Sequence, residues 1–320
     1  MEIGIAEEAG EGAIVKVAAL PIVHHPGYDA GFAADHRFPM GKYSALMERL
    51  AARSLAARSN LHRPAPAEPG WLKLAHDPAY VDQVIACAVP AKIEREIGFP
   101  IGERVSRRAQ LAAGGTILAA RLALANGIAC NTAGGSHHAR RDHGAGFCTF
   151  NDVAVAALVL IAEGLAANVL IVDLDVHQGD GTADILKNEP RAFTFSMHGE
   201  RNYPARKIAS DLDVAFPDGT GDAEYLGRLG EILPVLSGRA AWDIVFYNAG
   251  VDPHADDRLG RLSLSDHGLR ARDRLTIGHF RERGIPVCGV IGGGYSRDIA
   301  ALAARHAILF EVAAEFSGGS

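Results

Sequence analysis

Three side chains in one short stretch could hold a divalent cation. In "IVDLDVHQGDG", Asp173, Asp175 and His177 stand at i, i+2 and i+4. Strand side chains alternate with a period of two, so all three lean to one side if the strand runs that far. Two carboxylates and an imidazole at a strand end are costly unless something uses them, and a metal ion would. The plainer use of the same residues is to cap neighbouring helices. A second stretch, "YNAGVDPHADD", offers Asp252 just after an apolar run and a turn. His254, Asp256 and Asp257 are rival candidates for that ligand, but they lie farther out and read as loop surface. Asp175, His177 and Asp252 together would leave a position for water, which is the pattern of catalytic zinc. Two carboxylates with one histidine make a harder site than a histidine-rich set, so Fe²⁺ or another divalent ion could occupy it.

The adjacent pair His137 and His138 lies in "NTAGGSHHARRDHGAGFC". A hydrated loop could carry such a pair with no further purpose. Beside a metal it has one, because a base must still take the proton from the water the ion acidifies. Each imidazole then needs a carboxylate to fix its tautomer. Asp173 and Asp180 remain once the ligands are assigned, so two histidines and two carboxylates pair off. The glycines at 134, 135, 144 and 146 let backbone approach a narrow site closely. In "GGGYSRD", Tyr295 follows three glycines. Its hydroxyl could reach a carbonyl oxygen and donate to it as that oxygen becomes an oxyanion. Otherwise the glycines form a tight turn and the ring packs outside.

These residues need elements that bring them together. The chain alternates strand and helix. "AIVKVAALPIVHHP" reads as a strand and "MGKYSALMERLAARSL" as an amphipathic helix, followed by a loop with Pro64, Pro66 and Pro69. "DPAYVDQVIACA" opens with an Asp-Pro helix start, and a long helix from Glu103 closes at Gly127. "NDVAVAALVLIAEGLAA" is a further helix, with Asn151 or Asp152 as its cap. "NVLIVDLDV", "AFTFSMH", "WDIVFYNAG" and "IPVCGVIGG" are short apolar runs, as expected of parallel strands buried on both faces. Helical spacing returns in "DAEYLGRLGEILPVLSG", "SDHGLRARDRLTIGHFRERG" and "SRDIAALAARHAILFEVAAEF". The reading is one α/β domain, with helices on both faces of a mostly parallel sheet. Ligands bind beyond the carboxyl ends of such strands. The four turns that carry the chemical residues should therefore meet on one rim.

Bulk composition narrows the classes. The 320 residues are 48% hydrophobic and 22% charged, ordinary for a globular chain, and the net charge of −6 argues against a nucleic-acid binder. Cys87, Cys130, Cys148 and Cys288 are widely spaced, each in or beside an apolar run, and read as buried reduced thiols in a cytoplasmic protein. The acidic N-terminus does not resemble a secretory signal. The longest apolar run is interrupted by Glu163, Gly164 and Asn168, so no membrane span is expected.

Taken together, "GGSHHARRDHGAGFCTFND", "VDLDVHQGDGT", "YNAGVDPHADDRLGRLSLS" and "GGGY" resemble the zinc-dependent histone deacetylases and their bacterial relatives in content, order and spacing. "HQGDG" and "DRLGRLSLS" are most similar to class IV and to bacterial deacetylase-like amidohydrolases. The resemblance runs from about residue 20 to 310 of a single deacetylase domain with short flexible termini. It implies the arginase–deacetylase fold and zinc on Asp175, His177 and Asp252. It also implies His137 as the more buried histidine, paired with Asp173, and His138 as general base and acid, paired with Asp180. Tyr295 would polarise the carbonyl, and Gly146, Phe147 and Gly293 would contact the acyl-lysine. A K⁺ ion would sit on the Asp173 carboxylate and on oxygens of Asp173, Asp175, His177, Ser196 and Met197. Class I relatives place an arginine in an internal acetate channel, for which the nearest candidate here is Lys42.

The expected reaction is hydrolysis of an acylated primary amine, N6-acyl-lysine in a protein being the simplest case. An acetylpolyamine or other small acylated amine is the close rival. A two-manganese arginase-like hydrolase and a non-catalytic acyl-lysine reader are more distant ones. The sequence leaves acyl length and oligomeric state open.

Overall fold

The computed structural model describes residues 19–33 and 35–318. The expectation of flexible termini falls largely on residues outside that range. Eight strands form one sheet: β1 (Ile22–Val23), β2 (Leu61–His62), β3 (Ile128–Asn131), β4 (Val169–Asp173), β5 (Ala192–Gly199), β6 (Leu212–Phe216), β7 (Ile244–Asn248) and β8 (Val287–Val290). Every pairing is parallel, in the order β2-β1-β3-β8-β7-β4-β5-β6. Each residue of β3, β4, β7 and β8 is buried, so both faces of the central sheet are covered.

The helices are α1 (Lys42–Ala52), α2 (Pro69–Ala75), α3 (Pro78–Ile85), α4 (Ala91–Ile97), α5 (Glu103–Asn126), α6 (Asp152–Ala162), α7 (Asp180–Leu186), α8 (Asp222–Ser237), α9 (Asp266–Arg281) and α10 (Ile299–Glu315). Local chemistry sets several of their ends. Gly127 closes α5 at φ +81°, its N–H donating to Ala123 O, a conformation that needs no side chain. Asn151 caps α6 by accepting from Ala154 N at 3.0 Å. Asp152 turns inward instead: it accepts from Thr116 Oγ1, Gly135 N and Ser136 N, and so pins the turn that leads to the paired histidines.

The sheet order explains why the four polar turns meet. β3, β8, β7 and β4 are consecutive neighbours, so the segments leaving their carboxyl ends share one rim.

Some expectations needed correction. The first strand was expected across residues 13–26, but only Ile22–Val23 pair, and the stretch before residue 19 lies outside the described residues. Pro26 opens a 3₁₀ turn there and ends the extended run. Helix α1 stops at Ala52 because Ser54 takes φ +56°. Pro69 starts α2, where a loop was expected. Strands β2 and β6 carry no strand signal in the sequence because they are half-exposed edge strands with no continuous apolar run. Cys87 is half-buried at φ +54° rather than buried, while Cys130, Cys148 and Cys288 are buried, and all four are free thiols.

Candidate active site and metal centre

The strand β4 ends at Asp173, so the period-two argument does not carry to Asp175 and His177. They converge for another reason. The loop folds back on itself, with His177 N donating to Asp175 Oδ1 at 3.0 Å and Asp175 N donating to Asp173 Oδ1 at 3.2 Å. Asp252 arrives from the turn after β7 and is fixed by Val176 N at 2.9 Å. His177 Nδ1 then lies 3.0 Å from Asp175 Oδ1 and 3.1 Å from Asp252 Oδ2. One ligand atom from each of the three lies within 4.8 Å of the others, and all three side chains are buried. Among the described residues this is the single such cluster.

The donor set fits a divalent cation. Two buried carboxylates face each other with one imidazole between them. Burial, then the neighbouring Asp175, pushes the Asp252 carboxyl up to about 7. Burial works against a charged His177, but Asp175 and Asp252 outweigh it and raise the imidazole to about 10. A bound dication would relieve the carboxylate repulsion and take the nitrogen lone pair. Gly293 N donates to Asp175 Oδ2 at 2.7 Å, which sets the carboxylate's orientation from β8's side.

The paired histidines sit beside this cluster, with ring centroids 4.1 Å apart. His137 Nδ1 donates to Asp173 Oδ2 and His138 Nδ1 to Asp180 Oδ1, each at 2.6 Å. Their environments push them apart. Burial lowers both, but Asp173 and Asp175 carry His137 up to about 9. Burial and the adjacent His137 outweigh Asp180 and hold His138 down at about 4. Both are buried to the same extent, each 4% exposed, so position and not burial distinguishes them. The outer cleft reaches His138 but not His137.

That cleft, of about 410 Å³, is lined by His138, His177, Gly146, Phe147, Tyr203 and Tyr295 among others. Phe147 holds φ +66°, an unfavourable backbone for a bulky residue, and its ring stacks on Phe99 at 6.2 Å. The ring of Tyr203 stands edge-on to His138 at 4.7 Å and forms the facing wall. Tyr295 is 8% exposed, with its ring centroid 6.1 Å from that of His177. Burial and the Asp252 and Asp175 carboxylates hold its hydroxyl protonated, well above the ordinary tyrosine range. Gly293 lines a smaller inner pocket of about 20 Å³, with room for roughly one water.

Lys42 does not line either pocket. Its ammonium is buried, donates to Gly292 O at 3.2 Å and is lowered to about 8 by burial. Arg108 of α5 lines the inner pocket instead, held by Tyr28 O at 2.9 Å and by the Tyr43 hydroxyl. Nor is the turn after β7 mere surface. His254 is buried, and Asp257 accepts from Tyr295 N at 2.7 Å, so it anchors the catalytic candidate's backbone. Ser196 pairs in register with Asp173, Met197 follows it, and both are buried. Both Asp173 oxygens are engaged, Oδ2 by His137 and Oδ1 by Asp175 N and Asn248 Nδ2.

Sequence reasoning missed three supporting residues. Arg140 donates from Nε and Nη2 to Asp180 Oδ2 at 3.1 and 2.7 Å, and its i+2 spacing from His138 was the only hint. Asn248 holds Asp173. Arg272 of α9 is fully buried, and its Nη1 donates to Gly250 O at 2.6 Å and Leu174 O at 3.2 Å. It thus ties together the two loops that carry the candidate metal ligands, with Asp273 balancing its charge at 2.8 Å. No local pattern marks it.

Comparison with known proteins agrees with this architecture. The histone deacetylase domain model matches residues 36–310. An uncharacterized protein of Picosynechococcus is 45% identical over 92% of this chain and 98% of its own length. Histone deacetylase 2 of Arabidopsis thaliana is 30% identical over 89% of this chain and 77% of its own. A probable deacetylase of Methanothermobacter thermautotrophicus is 27% identical over 86% and 85%. In three dimensions, a histone deacetylase homologue from Aquifex aeolicus superposes with a TM-score of 0.78 at 24% identity, covering 95% of this chain and 85% of that one. The fold and family thus define an enzyme that hydrolyses linear amides, of the deacetylase type. The chain belongs to the histone deacetylase family.

Proposed function

We propose that the chain removes acyl groups from N6-acyl-lysine in proteins, with zinc held by Asp175, His177 and Asp252. One observation carries this reading: His177, one of three buried donors that cluster within 4.8 Å, lines a cleft together with His138 and Tyr295, and Asp175 lines the small pocket that shares its His138, Phe147 and Tyr295 walls. Bound Zn²⁺ would supply Lewis acidity, polarising the acyl carbonyl and making water acidic enough to attack near neutral pH.

The remaining steps belong to this chain's own side chains. His138, kept in one tautomer by Asp180, takes a proton from the attacking water through its free Nε2. The same imidazole returns the proton to the leaving nitrogen as the C–N bond breaks, which releases a carboxylate and a free amine. His137, against Asp173, stands behind it and faces Asp175, with Nε2 3.7 Å from Oδ1. The Tyr295 hydroxyl donates to the carbonyl oxygen as negative charge develops there. Phe147 and Tyr203, which line the cleft, would flank the lysine stem. A structural K⁺ near Asp173, Ser196 and Met197, and a cytoplasmic location, belong to the same reading. Among the described residues no helix is long and apolar enough to cross a membrane.

The test is Tyr295→Phe, assayed on an acetyl-lysine peptide with zinc content measured in parallel. Turnover should fall about 10²- to 10³-fold while the metal stays bound. Wild-type turnover in that variant would refute the role of Tyr295.

A further inference from the structure

The mouth of the cleft is basic, although the chain as a whole carries a net charge of −6. Arg37, Arg95, Arg201 and Arg261 line it together with His138, His177 and Tyr295, and Glu96 is the only acidic residue among its lining. Glu96 lies 3.5 Å from His143 Nε2, and Arg261 pairs with Asp218 at 3.2 Å. Arg37, Arg95 and Arg201 are exposed and form no ion pair within 4.0 Å among the described residues. They come from separate elements: the loop before α1, helix α4 and the loop after β5. Three free guanidinium groups therefore surround one opening.

The cleft also fixes which half of a substrate meets them. His138, His177 and Tyr295 mark its buried end, where His177 belongs to the candidate metal cluster, and Phe147 and Tyr203 line it too. The acyl carbonyl must reach that end, so the amine half and whatever is attached to it stay at the mouth. We infer that the substrate is an acyl-lysine flanked by acidic residues, whose carboxylates pair with Arg37, Arg95 and Arg201. This inference rests on the acyl-lysine reading above and adds its sequence context. Guanidinium groups pair with carboxylates in a planar two-point fork, and a concave mouth focuses their field beyond what the same charges do on a flat surface. The same field repels a polycationic amine, which disfavours an acetylpolyamine as substrate.

The experiment uses the zinc-loaded full chain and three peptides of equal length around one acetyl-lysine, flanked by Asp/Glu, by Ser/Gly or by Lys/Arg. Initial rates give kcat/KM, and titration calorimetry gives binding separately. At low salt the acidic peptide should lead the neutral one by about tenfold, and the neutral one the basic by a similar factor, mostly through KM. About 0.5 M salt should compress the order toward unity. The triple variant Arg37→Glu/Arg95→Glu/Arg201→Glu should reverse the acidic-to-basic ratio. Equal kcat/KM for all three peptides at low salt would overturn the inference. So would an order that survives the triple reversal, or acetylspermidine turned over faster than the acidic peptide. If the peptides bind in the expected order and none is hydrolysed, the charge selection stands and the hydrolytic reading falls.

Discussion

Gly293→Ala should uncouple the fold from the metal centre. The backbone at Gly293 lies outside the left-handed region, so alanine meets no conformational barrier there. The obstacle is contact. A Cβ at this position would stand 2.1 Å from Asp252 Oδ2 and 2.7 Å from Asp175 Oδ2. Real Cβ atoms essentially never approach within 3.0 Å of another heavy atom, so both carboxylates must retreat, that of Asp252 by about 1 Å. Metal–ligand distances tolerate only about 0.2 Å, so the displaced oxygen leaves the coordination sphere. Misplacing even an outer partner of a ligand costs 10- to 100-fold in affinity, and a displaced ligand should cost at least about 100-fold, or close to 3 kcal/mol. Zinc affinity would be measured by competition with a chromophoric chelator, with acetyl-peptide turnover and chemical denaturation alongside. Gly70→Ala is the control, because a Cβ there meets nothing within 4 Å. A Gly293→Ala enzyme that binds zinc and turns over like the wild type would refute the reasoning, since the crowding would then not reach the carboxylates.

Three further outcomes follow from the same structure. Arg272→Met should destabilise by about 3–5 kcal/mol in urea titrations, because it leaves Asp273 buried with the Tyr247 hydroxyl but no charged partner, and leaves the carbonyls of Leu174 and Gly250 without their donor. Unchanged stability would remove Arg272 as the tie between the ligand loops. His76 should contribute to acid lability. It is fully buried, with Nδ1 donating to Arg140 O at 2.7 Å while Nε2 accepts from Asn151 N at 3.0 Å, so a second proton has no place. Burial holds it down at about 4, so it binds protons less readily folded than unfolded. Its contribution is complete above pH 6.5 and is lost as pH falls toward 4, amounting to about 3 kcal/mol. The wild type should lose that much more than His76→Gln across this window, and parallel pH profiles would exclude it. Chelation of the metal should abolish turnover, and adding back zinc alone should restore it. Persistent activity after exhaustive chelation would end the metal-dependent reading.

The candidate site was legible in the sequence because its residues lie in short, local motifs. The spacing of Asp173, Asp175 and His177, the paired histidines and the tyrosine after three glycines each name a residue and its neighbours. The central strands were legible too, since burial on both faces leaves an unbroken apolar run in β4, β7 and β8. The sheet order, which puts β3, β8, β7 and β4 side by side, was decided only by tertiary structure. So was the contact of Arg140 with Asp180, and that of Arg272 with two loops far from it in sequence. Arg108 in place of Lys42 at the inner pocket, and arginines from three separate elements at the mouth, belong to the same class. The reason is physical: a motif records what neighbours along the chain can do together, whereas a long side chain's partner depends on where distant backbone arrives. An arginine reads alike in sequence whether it ends in solvent, in an ion pair or at the mouth of an active site.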